Sequence, residues 1–351
     1  MNKTQVVAAM LLLLAACAPK ESPKSAGAGA NDASDANIII NGAGATFPYP
    51  IYSKWFSDYN QQHPNVRINY QSIGSGGGIR QLMAQTVFFG ATDGPMSDDQ
   101  LAGAPGPILH LPTVLGGVVP VYNIPGISGE VKFPGAALAD IFLGKTQKWN
   151  DPALVAANPG LKLPNLDITV VHRSDGSGTN YIFCDYLAKV SPVFLKTVGV
   201  ATSVQWPAGV GGKGNEGVSS LVKQTPGTIG YVELIYATQN AIPYGSVQNA
   251  AGEFVRASVE SVTAAAASAT MPPDFRVSIT NAPGKGVYPI SSFTWLLLYE
   301  KPTDKVRGRV MVELMKWALT DGQKLAPSLG YAPLPKSVVD QELQALQKIE
   351  L

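Results

Sequence analysis

The sequence predicts an α/β fold of two lobes, built on mixed, mostly parallel sheets flanked by helices. Three observations predict it. From Asn37 onward, apolar runs of strand length alternate with segments of helical spacing, the pattern that βαβ units produce. At 351 residues the chain exceeds one typical domain, so two lobes are the default. Hydrophobic residues make up 45% and charged residues 15%, a balance that supports a substantial core.

The N-terminus stands apart from that fold. Residues 1–16 read as an export signal: Lys3 supplies a positive charge, "VVAAMLLLLAA" an apolar stretch, and Leu14-Ala15-Ala16-Cys17 the close. The apolar run is shorter than the roughly 20 residues a membrane span needs. "LAAC" resembles a bacterial lipobox, which implies cleavage before Cys17 and lipid on that cysteine; an ordinary signal peptide is the alternative. Residues 17–36 then form a lipid-bearing cysteine and a small, polar, flexible tether. The only other cysteine, Cys184 in "YIFCDYL", has no disulfide partner if Cys17 carries lipid, and reads as a packed core residue.

The elements follow in order. "NIIING" is a short strand, and "PYPIYSKWFSDYN" a helix with apolar spacing at Ile51, Trp55 and Tyr59. "VRINYQS" alternates as a strand, "IRQLMAQT" is helical, and "VFFGATD" is a buried strand. Later, "DITVVHR", "TIGYVEL" and "SSFTWLLLYE" read as strands. "DKVRGRVMVELMKWALT" is the longest predicted helix, apolar at Val306, Val310, Leu314 and Trp317/Ala318. No strong linker divides the chain, so discontinuous lobes joined by crossing strands are expected.

Three strand-to-helix junctions share one composition. Residues 42–48 read "GAGATFP", with Thr46 suited to a cap and Pro48 to an early helical position. Residues 73–79 read "IGSGGGI" around Ser75, and residues 175–180 read "DGSGTN" after Arg173. Glycine allows close backbone approach, and free amides with the helix dipole favour an anion at such a terminus. Any one junction taken alone reads better as a capped helix after a tight turn than as an anion site. Three in one α/β chain, with an arginine at the end of one strand, point to an anion with several oxygens bound outside the carboxyl ends of the strands.

Other chemistries lack their residues. "LGKT" at 143–146 has Ala139 where a P-loop needs its first glycine. "GAGATF" has Phe47 at the last glycine of a dinucleotide fingerprint. The residue two before Ser177 is Asp175, and two before Ser75 is Ile73, so neither is a nucleophile elbow. His63, His110 and His172 show no paired metal-ligand spacing, and no catalytic residue, cofactor or metal is expected. With 26 Lys and Arg against 25 Asp and Glu and no basic run, nucleic acid is not an expected partner.

"GAGATFPYPIYSKW", "IGSGGG", "FGATDGPMSD", "PTVLGGVVPVYNIPG", "DIFLGKTQKWND", "VHRSDGSGT", "WPAGVGGKGNEGV" and "PGTIGYVE" occur in this order. Together they resemble the substrate-binding proteins of bacterial high-affinity phosphate ABC transporters, from about Asn41 to the C-terminal helices. The resemblance implies a two-lobed periplasmic-binding-protein fold (type II), with residues 37–112 and 288–351 in lobe I and 113–287 in lobe II. It implies a monomer that binds inorganic phosphate and delivers it to the transporter's permease subunits, without catalysis. The protein would be periplasmic or on the cell surface, touching the membrane through its lipid anchor only. The implied phosphate contacts are Thr46, Phe47, Ser75, Asp93, Arg173, Ser177, Gly178 and Thr179, with Asp175 holding the arginine in place. Gly76 stands where many relatives have a second serine, and His172 where some have another arginine. Sulfate or another oxyanion as ligand, and a surface-anchored hydrolase of phosphate esters, are the competing readings.

Overall fold

The computed structural model describes residues 37–267 and 269–351. The export signal, Cys17 and the tether read from the sequence lie outside the described residues. The chain runs β1 (Ile38–Gly44), α1 (Tyr49–Gln62), β2 (Val66–Ser72), α2 (Ser75–Met83), β3 (Phe89–Thr92) and α3 (Asp98–Ala102). It continues through β4 (Ile108–Tyr122), β5 (Lys132–Phe133), α4 (Gly135–Phe142), α5 (Pro152–Ala157), β6 (Thr169–Arg173), α6 (Gly178–Val190) and α7 (Pro192–Thr197). Then come β7 (Val210–Gly212), α8 (Gly214–Gln224), β8 (Thr228–Glu233), α9 (Leu234–Gln239), β9 (Ser246–Gln248), β10 (Phe254–Val255) and α10 (Val259–Ala267). The described chain closes with β11 (Ser291–Tyr299), α11 (Lys305–Ala318) and α12 (Lys336–Ala345).

Eight strands form one sheet in the order β2-β1-β3-β11-β4-β8-β6-β7, and β10-β9-β5 form a small second sheet. At one end β1 pairs in parallel with β2 and β3; at the other, β6 pairs in parallel with β8 and β7. Between them β11 and β4 run antiparallel to their neighbours. The 15-residue β4 joins the two halves, because it changes partner between Gly117 and Val118, from β11 to β8. The sheet ladder is thus split into a β1–β3 half and a β6–β8 half that share one strand.

β3 and β8 are buried along their whole length, as strands inside a helix-covered sheet are. β1 and β6 bury Ile40, Ala43, Val170 and Val171, while the edge strands β2 and β7 are only partly buried. Each fully buried large aliphatic or Phe side chain stabilises the fold by about 1.5–3 kcal/mol. In α1 the expected stripe Ile51, Trp55 and Tyr59 is buried, together with Tyr52 and Phe56. In α11 the expected stripe is borne out at Leu314 and Ala318, which are buried, while Val310 and Trp317 are partly buried and Val306 is corrected. Val306 is 49% exposed, and the buried face is Gly308, Met311, Val312, Leu314, Met315 and Ala318. At Gly308 the bare backbone lies against Pro302 and Leu351, where a Cβ would come to 2.8 and 3.0 Å of their side chains. With 14 residues, α11 equals α1 in length rather than exceeding it.

Candidate functional site

The carboxyl ends of β1, β2, β3 and β6 carry or lead into the segments that hold Thr46, Phe47, Ser75, Asp93, Arg173, Ser177, Gly178 and Thr179. All of these residues are buried, and the structure brings them into one connected cluster. Ser75 Oγ accepts from the amides of Asp93 at 3.2 Å and Gly178 at 3.0 Å, tying the two halves of the sheet together. Thr46 Oγ1 and Thr179 Oγ1 both accept from Asn215 Nδ2, at 2.7 and 3.2 Å. Phe47 presents its carbonyl to the Tyr331 hydroxyl at 2.6 Å and its ring to Gly116.

The three hydroxyls differ in their work. Ser177 is a true cap, accepting from the Asn180 amide at 3.0 Å at the start of α6. Thr46 is not the cap the sequence suggested. Pro48 occupies that position in α1 without a side-chain bond, Pro50 is the proline of the first turn, and the Thr46 hydroxyl reaches across to Asn215. Ser75 is likewise the first residue of α2 rather than its cap; Gly74 precedes it with φ +87°. A hydroxyl that leaves its own helix uncapped frees the terminal amides for another partner.

Close approach is written into the glycines. A Cβ at Gly178 would lie 2.6 Å from the Asp93 backbone nitrogen and from its Oδ2, so only glycine fits. Gly76 N donates to Gly176 O at 2.9 Å, a backbone bond directly between the two halves. A Cβ on either residue would come within 3.1 Å of the other's Cα.

The charges are one cation and two acids. Arg173, its side chain 1% exposed, donates from Nε and Nη2 to both oxygens of Asp175, at 2.8 and 2.6 Å. Burial alone would raise the Asp175 pKa; the Arg173 hydrogen bonds and charge and the Gly214 amide outweigh it and hold the carboxyl below its usual range. Arg173 Nη1 is buried with no hydrogen-bond partner among the described residues, a donor directed at neither Asp175 nor the backbone. Asp93 is 1% exposed, and burial pushes it up to about 7, against the opposing pull of a Thr294 hydrogen bond and the Arg173 charge. Near neutral pH the Asp93 carboxyl therefore either accepts or carries a hydrogen. The arrangement fits an oxyanion that shares one.

Sequence reasoning missed four residues of this cluster. Asn215 links Thr46 to Thr179 and receives the Glu233 amide on Oδ1 at 3.1 Å. Its signal was present: "GGKGNEG" is a fourth glycine-rich strand-to-helix junction, between β7 and α8. Tyr236 donates to the Thr46 carbonyl at 2.6 Å, and Thr294 donates to Asp93 Oδ1 at 2.7 Å. Glu233 is fully buried and caps α9 through Oε2; burial raises its pKa well above the usual carboxylate range.

Cys184 packs in the core, as the sequence suggested, and His172 and His110 stay outside the site. Cys184 is free and buried, and burial pushes its thiol up. His172 stacks on Trp206 with ring centres 5.6 Å apart. His110 Nε2 accepts from the Met96 amide at 3.1 Å, and burial lowers its pKa to about 4.

Residues 23–321 match the PBP superfamily domain. The chain is 50% identical over 308 residues to the phosphate-binding protein PstS of Xylella fastidiosa strain Temecula1, covering 87% of this chain and 84% of that one. It is 47% identical over 315 residues to the protein of the same name in Pasteurella multocida, covering 89% and 90%. Among solved structures, a phosphate-binding protein from Stenotrophomonas maltophilia superposes with a TM-score of 0.70 at 19% identity, covering 88% and 93% of the two chains. A periplasmic phosphate-binding protein (PfluDING) bound with phosphate gives a TM-score of 0.70 at 20% identity, covering 86% and 92%. With the matched domain, the shared two-lobed periplasmic-binding fold and relatives at this identity, the chain belongs to the PBP superfamily and, within it, to the family of PstS phosphate-binding proteins.

Proposed function

We propose that this protein binds inorganic phosphate in a cleft between two lobes and delivers it to the permease subunits of an ABC transporter. The observation that carries this reading is one buried guanidinium with a free Nη1 beside one buried carboxylate, Asp93, among converging helix N-termini. Thr46, the Phe47 amide, Ser75, Arg173, Ser177, Gly178 and Thr179 hold the anion's oxygens, and Asp175 orients Arg173. Phosphate near neutral pH carries at least one hydrogen, which Asp93 accepts. Sulfate carries none and sets like charge against Asp93.

Residues 37–112 with 288–351 form lobe I and residues 113–287 lobe II, which close on the anion about the crossing strands. The protein works as a monomer, as a binding protein and not an enzyme. "LAAC" supports export and a lipid anchor at Cys17, as a periplasmic or cell-surface lipoprotein. Loss of lipid labelling in Cys17→Ala, with phosphate binding kept, is the expected outcome.

The test is titration of phosphate-stripped protein with phosphate and sulfate, for the parent and Asp93→Asn. A site built around a ligand's hydrogen rejects the analogue lacking it by about 10⁴–10⁵. The parent binds phosphate and excludes sulfate; Asp93→Asn loses discrimination far more than phosphate affinity, because an amide donates to sulfate. A parent that prefers sulfate, or an Asp93→Asn variant that excludes it as completely, overturns the reading.

A further inference from the structure

The ladder between β4 and β11 is broken at one place. Thr294 faces Val114 and Trp295 faces Pro112, so Thr113 has no partner in register. Such bulges kink a strand and re-aim the side chains beside them. Here Pro112, which has no amide to donate, stands at the break. Thr113 Oγ1 turns to the Thr294 carbonyl at 3.1 Å and meets the Tyr52 hydroxyl at 3.0 Å, pinning β11 from behind. The Thr294 hydroxyl, fully buried, comes to 2.7 Å from Asp93 Oδ1 and 3.4 Å from the Thr92 carbonyl. A hydroxyl has one hydrogen, and the shorter contact takes it.

We infer that Thr294 is a positioning residue for anion specificity: aimed by the bulge, its hydroxyl occupies Asp93 Oδ1 and leaves Oδ2 as the oxygen that tests an anion for a hydrogen. Oδ2 lies on the Gly178 side, 2.6 Å from where a Cβ of that residue would stand. This assignment rests on the phosphate reading above. It also divides the labour at the carboxylate. A donor that favours the ionised form keeps Asp93 an acceptor, which rejects a fully deprotonated anion. Once protonated, the same carboxyl is a donor and admits one.

The titratable groups facing Asp93 leave Thr294 in that role. Arg173 from β6 supplies positive charge. Glu233 at the β8–α9 turn, Tyr52 from α1, Tyr70 from β2 and Tyr331 all interact with Asp93, and burial pushes the pKa of each of them up. The Thr294 hydroxyl and the Arg173 charge are then the two influences that oppose burial.

The experiment compares the full-length parent with Thr294→Val, which keeps the shape and removes the hydrogen, and Thr294→Ser, which keeps the hydroxyl. Phosphate and sulfate affinities are measured at a series of pH values on either side of about 7. In Thr294→Val the pH below which sulfate binds moves upward, and between the parent's threshold and the variant's the phosphate-to-sulfate ratio falls by up to about 10–150-fold, the value of a hydrogen bond to a charged group. Thr294→Ser restores the parent profile. If Thr294→Val fails to fold, Thr294→Ala carries the same comparison. An unchanged ratio and pH profile in the valine or alanine variant overturns the inference. So does an equal loss of both anions with no pH shift, which marks a merely structural threonine. A parent that binds sulfate and not phosphate fails the phosphate reading instead, and the pH profile of the variants still scores Thr294.

Discussion

Replacing Asp175 by Asn tests how the one buried cation of the site is held. The asparagine keeps the shape but turns an NH2 group toward a guanidinium that has no acceptor. Three bonds are at stake: Arg173 Nε at 2.8 Å, Arg173 Nη2 at 2.6 Å and the Gly214 amide at 3.0 Å. With the Arg173 side chain 1% exposed and that of Asp175 13%, solvent screens little. Breaking one side of such a pair costs about 3–5 kcal/mol, because the remaining charge stays buried. With an unfolding entropy of about 2.1 cal/mol/K per residue, a loss of ~4 kcal/mol in a chain of this length lowers Tm by roughly 6 °C. The sign of the pH effect is fixed by the direction of the shift. Asp175 is held below its usual value of 3.8, so the pair's contribution is complete above that value and is lost as pH falls through the lower folded one. Thermal melts of parent and variant, with and without phosphate, provide the readout. The variant melts lower in both states and gains less from phosphate. Equal melting temperatures and equal phosphate stabilisation would refute the claim that Asp175 holds the arginine.

Two further outcomes are expected. Gly176→Ala places a Cβ 3.1 Å from Gly76 Cα, and overpacking of that kind weakens phosphate binding by about tenfold or more; solution scattering should show the variant shrinking less than the parent on adding phosphate, and an equal shrinkage removes the glycine contact from the closing motion. Glu342 is fully buried in α12 with neither oxygen hydrogen-bonded among the described residues, so Glu342→Leu should stabilise the fold by about 1–3 kcal/mol in urea denaturation. Burial raises the Glu342 pKa well above 4.5, so the folded state holds a proton that the unfolded chain releases. Its contribution therefore falls as pH climbs from about 4.5 toward the raised value, and the leucine variant should lose that slope.

The alternation of elements was legible because parallel strands buried on both faces read as continuous apolar runs, as in "VFFGATD" and "TIGYVEL". The longest strand was not. β4 contains Pro112, Pro120, Gly116 and Gly117, residues that argue against a central strand, and it was read only as a stretch of family likeness. Pro112 is tolerated at the bulge, and the two glycines make room for the rings of Phe47 and Tyr288. In α11 the apolar period gives Leu314 and Ala318 correctly but extends one turn too far, to the exposed Val306, while the apolar spacing gives no sign that Gly308 is buried against Pro302 and Leu351. At the site, residues at glycine-rich strand ends were found through their local composition. Asn215 and Thr294 act on partners 169 and 201 positions away, and a polar residue gives no local sign of which distant group it will meet.

The position of β11 also sets a timetable. This strand, near the C-terminus, lies between β3 and β4, which precede it by well over a hundred residues. Until it inserts, the two strands have no ladder between them, Asp93 has no Thr294 beside it, and β4 lacks the neighbour that shapes its bulge. Chain separation of this kind adds little to the free energy, since each doubling of a loop costs only about 0.6 kcal/mol, but it slows folding. The contact between Asp93 and Thr294 thus depends on the strand that comes last in the chain and is laid between two that come early.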